Sequence, residues 1–448
     1  MDYKTYFKNK RITMLGLGLL GRGLNDAKFF AENGALLTIT DLKTKEELAP
    51  TLKKLAKYKN ITYVLGEHRL EDFRHADFVL KAAGVPLDSP YIAEARKHEV
   101  PVEMDESLFA KLAQGVTIVG ITGTRGKTTT TYLIYEILRA IYGRRVHLGG
   151  NIRGLATLPL LAKVKEGDII VLELSSWQLQ GWGDAKLSPQ ISVFTNFLDD
   201  HINYYLKGAK HEREAVQKYF DDKAKIFAHQ KVGDACIVTS SLQKILKERY
   251  TKKISSSVII AQKKTVSSWK TILRGEHNQE NIAQAVAVGR LFDIPLAHIK
   301  KTVCTFKGVE GRQQFLREYR GVKIYNDTTA TSPDATIAAL RAFADGARKK
   351  VILIAGGANK GLDMTALIKA IPKYAKHTVL LAGTGTDTIV GSVNAPVAHT
   401  LKEALTIALK GAKRGDIVLL SPAFASFGMF KNEFDRGDQF TKLVKNLR

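Results

Sequence analysis

Short apolar runs rich in Val, Ile and Leu recur along the chain, with helix-like amphipathic stretches between them. RITMLGLG (11–18), LLTITD (36–41), ITYVLG (61–66) and DFVLKAAG (77–84) come first. VTIVGITGT (116–124), DIIVLELSS (168–176), ISVFTNF (191–197) and ACIVTS (235–240) follow. GVKIYND (321–327), KVILIAGG (350–357), TVLLAG (378–383) and DIVLLSP (416–422) close the series. Runs of this length bounded by Gly, Asp and Ser predict strands covered on both faces. Their alternation with helical stretches predicts an α/β fold with mostly parallel sheets. No short internal repeat is apparent. We expect three α/β domains: 1–113, 114–308 and 309–448.

Composition narrows the class. At 45% hydrophobic and 25% charged, the 448 residues have the balance of an ordinary globular protein, and 36 Gly and 11 Pro show no period. Collagen-like, coiled-coil and low-complexity readings are thereby excluded. Two cysteines, Cys236 and Cys304, allow one disulfide at most and read as reduced thiols in a cytoplasm. No apolar run approaches the ~18–20 residues of a membrane helix. The basic N-terminal cluster before ITMLGLGLLG superficially resembles a signal peptide. The apolar run is short and Gly-rich and ends at Arg22, so we read a strand and a turn. Charge is the outlying feature: 68 Lys and Arg against 44 Asp and Glu give +24. That excess admits nucleic acid, an anionic membrane or anionic small molecules as partners.

Candidate chemistry begins at Gly16-Leu17-Gly18-Leu19-Leu20-Gly21, a GxGxxG turn directly after a strand. Glycines there let backbone amides approach a phosphate, and Asp41, 20 residues on, stands where a ribose hydroxyl is held in dinucleotide folds. A tight strand–helix turn without a ligand is the competing reading.

A second phosphate loop is more specific. Gly123-Thr124-Arg125-Gly126-Lys127-Thr128-Thr129 follows a strand and opens a helical stretch, although Ile121 replaces the first glycine of the strict P-loop pattern. Its amides are expected to cradle ATP phosphates, Lys127 to reach the β- and γ-phosphates, and the Thr128 hydroxyl to ligate Mg2+. Glu173 ends a strand and suits Mg2+, with helix capping in ELSS as the alternative. His201, after a strand end, suits either a metal or an anion. Asn278 and Asn281 lie three apart on one helix face, suited to reading a base or to capping.

The motifs together carry a resemblance. GTRGKTT, GGNI (149–152), ELSSWQL, LDDH, GEHNQEN, NDTTAT (326–331) and SPAFASFGMFKNEFDRGDQF (421–440) occur in the order of the Mur ligases, and the chain resembles that family over its whole length. The resemblance implies a cytoplasmic, monomeric, ATP-dependent ligase of peptidoglycan synthesis that works through an acyl phosphate. The short first domain and the C-terminal motif are similar to the branch that adds glutamate, D-Glu first and L-Glu as the alternative, to UDP-N-acetylmuramoyl-L-alanine.

Residue by residue, the resemblance implies two Mg2+ ions held by Thr128, Glu173, His201 and a carbamylated Lys223, with Lys225 two residues away as the competitor. It implies ATP contacts from Asn278, Asn281, Arg312 and Asp327, and an amino-acid pocket at Thr331, Lys360 and Ser426. Leu19, Leu20, Asp41, Gly84 and Asn151 are implied for the UDP-sugar. The first and third domains are implied to be Rossmann-like and the central one P-loop ATPase-like, with the third closing over the site. Arg125 replaces the family's usual Asn, Thr329 a usual Lys and Glu433 a usual aromatic residue, and EGRQQ around Arg312 also departs from the pattern. A folate-type glutamate ligase is a second reading, opposed by the separate domain ahead of the P-loop. A nucleic-acid-binding ATPase is a third, opposed by scattered rather than clustered basic residues.

Overall fold

The computed structural model describes residues 2–19, 21–86, 88–198, 200, 202–207, 209–344 and 349–447. Among these residues the strands form three sheets, and the molecule is α/β throughout. The first sheet holds β1 (Arg11–Leu15), β2 (Leu36–Asp41), β3 (Ile61–Leu65), β4 (Phe78–Lys81) and β5 (Val102–Glu103), in the order β3-β2-β1-β4-β5. The second holds β6 (Thr117–Thr122), β7 (Val146–Gly150), β8 (Ile169–Glu173), β9 (Ile191–Phe194), β10 (Ala235–Val238) and β11 (Ser257–Ile260), in the order β11-β10-β9-β6-β8-β7. Every pairing in these two sheets is parallel.

The third sheet holds β12 (Gln314–Tyr319), β13 (Val322–Asn326), β14 (Val351–Gly356), β15 (Ala375–Leu381), β16 (Val397–Ala398) and β17 (Ile417–Leu420), in the order β12-β13-β17-β14-β15-β16. Only the edge pair β12–β13 is antiparallel.

The apolar runs explain the sheet order. Central strands such as β8 and β14 are buried at every position because both faces are covered. Edge strands β3, β11 and β12 are only partly covered, and their sequences are correspondingly mixed. Apolar side chains of the first two sheets, among them Ile12, Leu37, Ile118 and Leu172, belong to one core. The third sheet has a core on each face: Leu353 and Leu419 point to one, Ile354 and Leu420 to the other.

The chain divides into two compact units. One comprises Met1–Gln262 and Ala283–Thr302 and carries the first two sheets; the other comprises Lys263–Ile282 and Val303–Arg448 and carries the third. Among the described residues no helix is long and apolar enough to cross a membrane. Cys236 is buried, Cys304 is partly exposed, and both are free thiols; burial pushes the Cys236 thiol up to about 12.

Candidate active site

In parallel sheets the loops at the carboxyl ends of the strands form the crevice where ligands bind. The glycine turn follows β1, and Gly16, Gly18 and Gly21 have φ of +94°, +64° and +91°. Only glycine adopts such backbone readily, which explains the spacing. Asp41, at the end of β2, accepts from the amides of Leu17 (2.9 Å) and Gly18 (3.1 Å) on one oxygen, and from the amide of Lys43 (2.9 Å) on the other. The carboxylate expected at a ribose therefore organises the turn, and these two turn amides are directed at it. Leu19 is exposed, and Gly84, past the end of β4, borders open space. Leu20 lies outside the described residues.

The second sheet builds the phosphate loop from the ends of four adjacent strands, β9-β6-β8-β7. Gly123 has φ +143°, and a Cβ there would meet Thr195 Oγ1 at 1.9 Å, so nothing but glycine fits. Gly126, at φ +80°, immediately precedes the helix Lys127–Tyr142, whose first turn carries Thr128 and the buried Thr129. Backbone amides at a helix start attract phosphate. The loop is pinned from β9: Asn196 O accepts from Thr124 N (3.0 Å), and Asn196 Oδ1 from Arg125 N (2.9 Å). Arg125, where the family has Asn, pairs with Asp200 at 2.6 Å. Lys127 Nζ donates to the carbonyls of Gly123 (3.0 Å) and Thr124 (3.1 Å).

Lys223 comes to the same place from the helix Glu212–Ala228. It is 2% exposed, its Nζ donates to Gly123 O at 2.8 Å, and it lies 4.8 Å from the Tyr219 ring centroid. Burial, reinforced by Lys127, pushes its amine well below the ordinary lysine value. Its competitor Lys225 pairs with Asp222 at 2.6 Å. Asp222 also accepts from Gln180 Nε2 (2.8 Å) and Tyr205 Oη (3.0 Å), which fixes the helix in rotation. Of the two lysines, Lys223 is the one at the phosphate loop.

Glu173 ends β8, paired with Ile121 of β6. It is 2% exposed; Oε1 accepts from Asn151 Nδ2 at 3.2 Å, and the buried Oε2 has no hydrogen-bond partner among the described residues. An orphaned carboxylate oxygen beside a phosphate loop fits a divalent cation, because a buried charge needs a partner. The competing capping role falls to Ser175, which forms a capping box with Gln178 and leaves Glu173 uninvolved. His201 lies outside the described residues. Among the described residues no three His, Cys, Asp or Glu side chains converge as a ready-made metal cage.

Asn151 follows β7, where Gly150 at φ +83° lets the chain turn back over Glu173: Asn151 N donates to Glu173 O at 2.7 Å. One residue here escaped the sequence reading. Arg22, first in the helix Arg22–Glu32, sends Nη2 to Gly150 O (2.9 Å) and Asn151 Oδ1 (3.3 Å). It pairs with Glu106 (3.4 Å) and Asp105 (3.8 Å) at the start of the helix Asp105–Leu112. Burial alone would lower this guanidinium; Glu106, Asp105, Asp26 and Glu173 outweigh burial and raise it. Burial and Asp105 raise the Glu106 and Asp26 carboxyls well above the ordinary range. An arginine ending an otherwise apolar glycine turn was the available signal.

In the other unit, Asn278 and Asn281 share a helix face as expected. Both are buried; Asn281 Nδ2 donates to Asn278 Oδ1 (3.1 Å), and Asn278 Nδ2 to Arg274 O (2.8 Å). Asp327, at the end of β13, accepts from Ser421 Oγ (2.8 Å) and Gln313 N (3.0 Å). Burial pushes its carboxyl up to about 7, with Arg312 near enough to oppose the shift. Lys360 Nζ donates to Thr331 O at 3.4 Å, and Ser426 is buried beside a bridge between Ala358 and Ala425. Thr329, in place of the family's Lys, gives its hydroxyl to Gly311 O at 3.0 Å. Arg436, also unforeseen, is fully buried and donates to Thr328 O (2.9 Å), Thr328 Oγ1 (3.1 Å) and Phe424 O (3.4 Å), joining the loops that lead to Thr331 and Ser426.

Residues 10–103 match the Mur ligase MurD-like N-terminal domain, 121–289 the Mur ligase middle domain, and 311–424 the Mur ligase glutamate ligase domain. The chain is 36% identical to a UDP-N-acetylmuramoylalanine–D-glutamate ligase of Roseiflexus sp. (strain RS-1), covering 98% of this chain and 99% of the relative. It is 32% identical to the protein of that name in Clostridioides difficile (strain 630), at 98% and 99% coverage. Among solved structures, the UDP-N-acetylmuramate-alanine ligase of Thermotoga maritima shares the fold, with TM-score 0.60, 18% identity and coverage of 98% and 99%. The Thermotoga maritima MurF ligase solved with ADP gives TM-score 0.59 at 17% identity, with coverage of 100% and 98%. With matches to all three parts and relatives aligned end to end, the chain belongs to the Mur ligase family.

Proposed function

We propose that this chain joins D-glutamate to UDP-N-acetylmuramoyl-L-alanine at the expense of ATP, in the cytoplasm and as a monomer, during synthesis of the peptidoglycan precursor. Mur ligases use ATP and Mg2+. The observation that carries the reading is that Lys127 and Lys223 meet on one phosphate loop, while Glu173, on the strand paired with the one that leads into it, has an oxygen without a partner among the described residues. Relatives bearing that ligase name over their full length support it.

A terminal carboxylate oxygen of the sugar nucleotide attacks the γ-phosphorus of ATP, and the bond to ADP breaks. The glutamate amine then adds to the acyl carbon, loses a proton, and the tetrahedral intermediate expels phosphate to leave an amide. Both steps bring anions together, so positioning and charge neutralisation dominate. Lys127 and the loop amides serve the transferred phosphate. Glu173, Thr128, His201 and a carbamate on Lys223 are the groups we assign to two Mg2+ ions, which when bound neutralise phosphate charge. Carbamylation replaces an amine that cannot ligate a cation with an oxygen donor. Asn151 holds the muramoyl end, and Leu19, Leu20, Asp41 and Gly84 form the uridine diphosphate end, Asp41 by shaping the turn. Asn278, Asn281, Arg312 and Asp327 are assigned to ATP, and Thr331, Lys360 and Ser426 to glutamate. Domains at 1–113, 114–308 and 309–448 divide these roles. L-Glutamate is the second reading, favoured by Thr329 and Glu433 at the glutamate end.

Oxygen-18 in the substrate carboxylate tests the acyl phosphate. One labelled oxygen per released phosphate is expected; unlabelled phosphate refutes the mechanism.

A further inference from the structure

We propose that Arg22 is a positioning residue that sets the orientation of the Asn151 side chain. The inference rests on the reading of Asn151 as a contact to the muramoyl substrate.

An amide side chain can be flipped end for end at little steric cost, so its direction is set by its partners. At Asn151 both ends are specified. The oxygen faces Arg22 Nη2, which can only donate, and the nitrogen faces Glu173 Oε1, which as a carboxylate accepts. Flipping the amide would oppose donor to donor and acceptor to acceptor. The same Arg22 nitrogen holds Gly150 O at 2.9 Å, so side chain and backbone of the GGNI turn are fixed by one group. A guanidinium offers several donors in a rigid plane. Here its other nitrogens face Asp105 and Glu106, which arrive from a different helix. Glu106 is in turn held by Gln178 Nε2, from the helix that begins just after Glu173. Arg22 also directly follows Gly21, the last glycine of the turn assigned to the uridine diphosphate. One side chain thus connects the nucleotide turn, the muramoyl-binding amide and, through that amide, the carboxylate assigned to the metal.

The competing account is that Arg22 is only an ion pair stabilising the packing of two helices. The two accounts differ in kinetics. If Arg22 orients Asn151, R22M and N151A each raise KM for UDP-N-acetylmuramoyl-L-alanine about 10-fold, and the double variant is no worse than N151A alone. KM for ATP and for glutamate stays near the parent value. R22K, which keeps the charge without the planar fork, is expected to regain melting temperature but not KM.

Additive effects of R22M and N151A would overturn the assignment, as would R22M or R22K lowering melting temperature with KM unchanged. An unchanged KM in N151A would instead remove the reading of Asn151 on which the proposal stands, so the two failures are distinguishable. Should R22M not fold, the R22K/N151A pair gives the same cycle.

Discussion

Lys223 and Gly123 are 100 residues apart in the chain, and the Lys223 amine donates to the Gly123 carbonyl at 2.8 Å. That carbonyl also receives Lys127 at 3.0 Å. Two lysine donors thus meet on one oxygen of the phosphate loop, and the charge on Lys127 disfavours a second charge on Lys223. The arrangement also keeps the Lys223 amine buried and pushed toward its neutral form, which is the form that adds carbon dioxide. Replacement by Ala is expected to lower kcat about 10²–10³-fold. In carbon-dioxide-free buffer the parent enzyme should lose activity and regain it on adding bicarbonate. Bicarbonate-independent activity would rule out the carbamate.

Lys127 is the direct phosphate contact in this account. K127A should lose about 10²–10³-fold in kcat with its melting temperature nearly intact, because the side chain is only partly buried. Steady-state kinetics alongside a thermal melt checks both. Near-parent kcat would remove Lys127 from the chemistry.

Asp327 gives a pH signature. Burial raises its carboxyl from 3.8 to about 7, so the folded state keeps a proton that the unfolded chain gives up. Its contribution to stability is fully present below 3.8 and is lost as pH rises through about 7. Asn cannot ionise. The melting temperature of D327N relative to the parent should therefore rise between about pH 4 and 8. A flat difference would show that Asp327 is not held protonated.

Gly150 tests the turn that brings Asn151 to Glu173. At φ +83°, a Cβ there would sit 2.1 Å from Glu173 O, a backbone atom that cannot swing away. G150A should cost about 2–4 kcal/mol and disturb activity. Gly154, at φ +75° with open space around it, is the control, and G154A should cost about 1 kcal/mol. Denaturant titration compares the two; equal losses would mean that conformation rather than the contact sets the cost.

Local pattern made most of the fold readable. LLTITD was expected as a strand at 36–41, and β2 spans Leu36–Asp41. Central strands are legible because burial on both faces demands continuous apolar runs. β5, β7, β11, β12 and β16 were not foreseen as strands. β5 and β16 have two residues each, β7 ends in two glycines, and β11 and β12 are exposed edges. The phosphate loop was legible because its chemistry needs fixed spacing. Arg22, Asp105, Glu106 and Arg436 were not, because their partners lie far away in sequence: Arg22 meets Gly150 across 128 residues. Asp41 was found by position, but only the structure reveals that its oxygens are turned to the loop amides.

Phosphate release from ATP, measured with UDP-N-acetylmuramoyl-L-alanine and each glutamate enantiomer in turn, tests the central claim most directly. The account predicts release that requires the sugar nucleotide and D-glutamate together, with a product heavier by one glutamyl residue. Release indifferent to both enantiomers would contradict the ligase reading, and release with L-glutamate alone would contradict the choice of substrate.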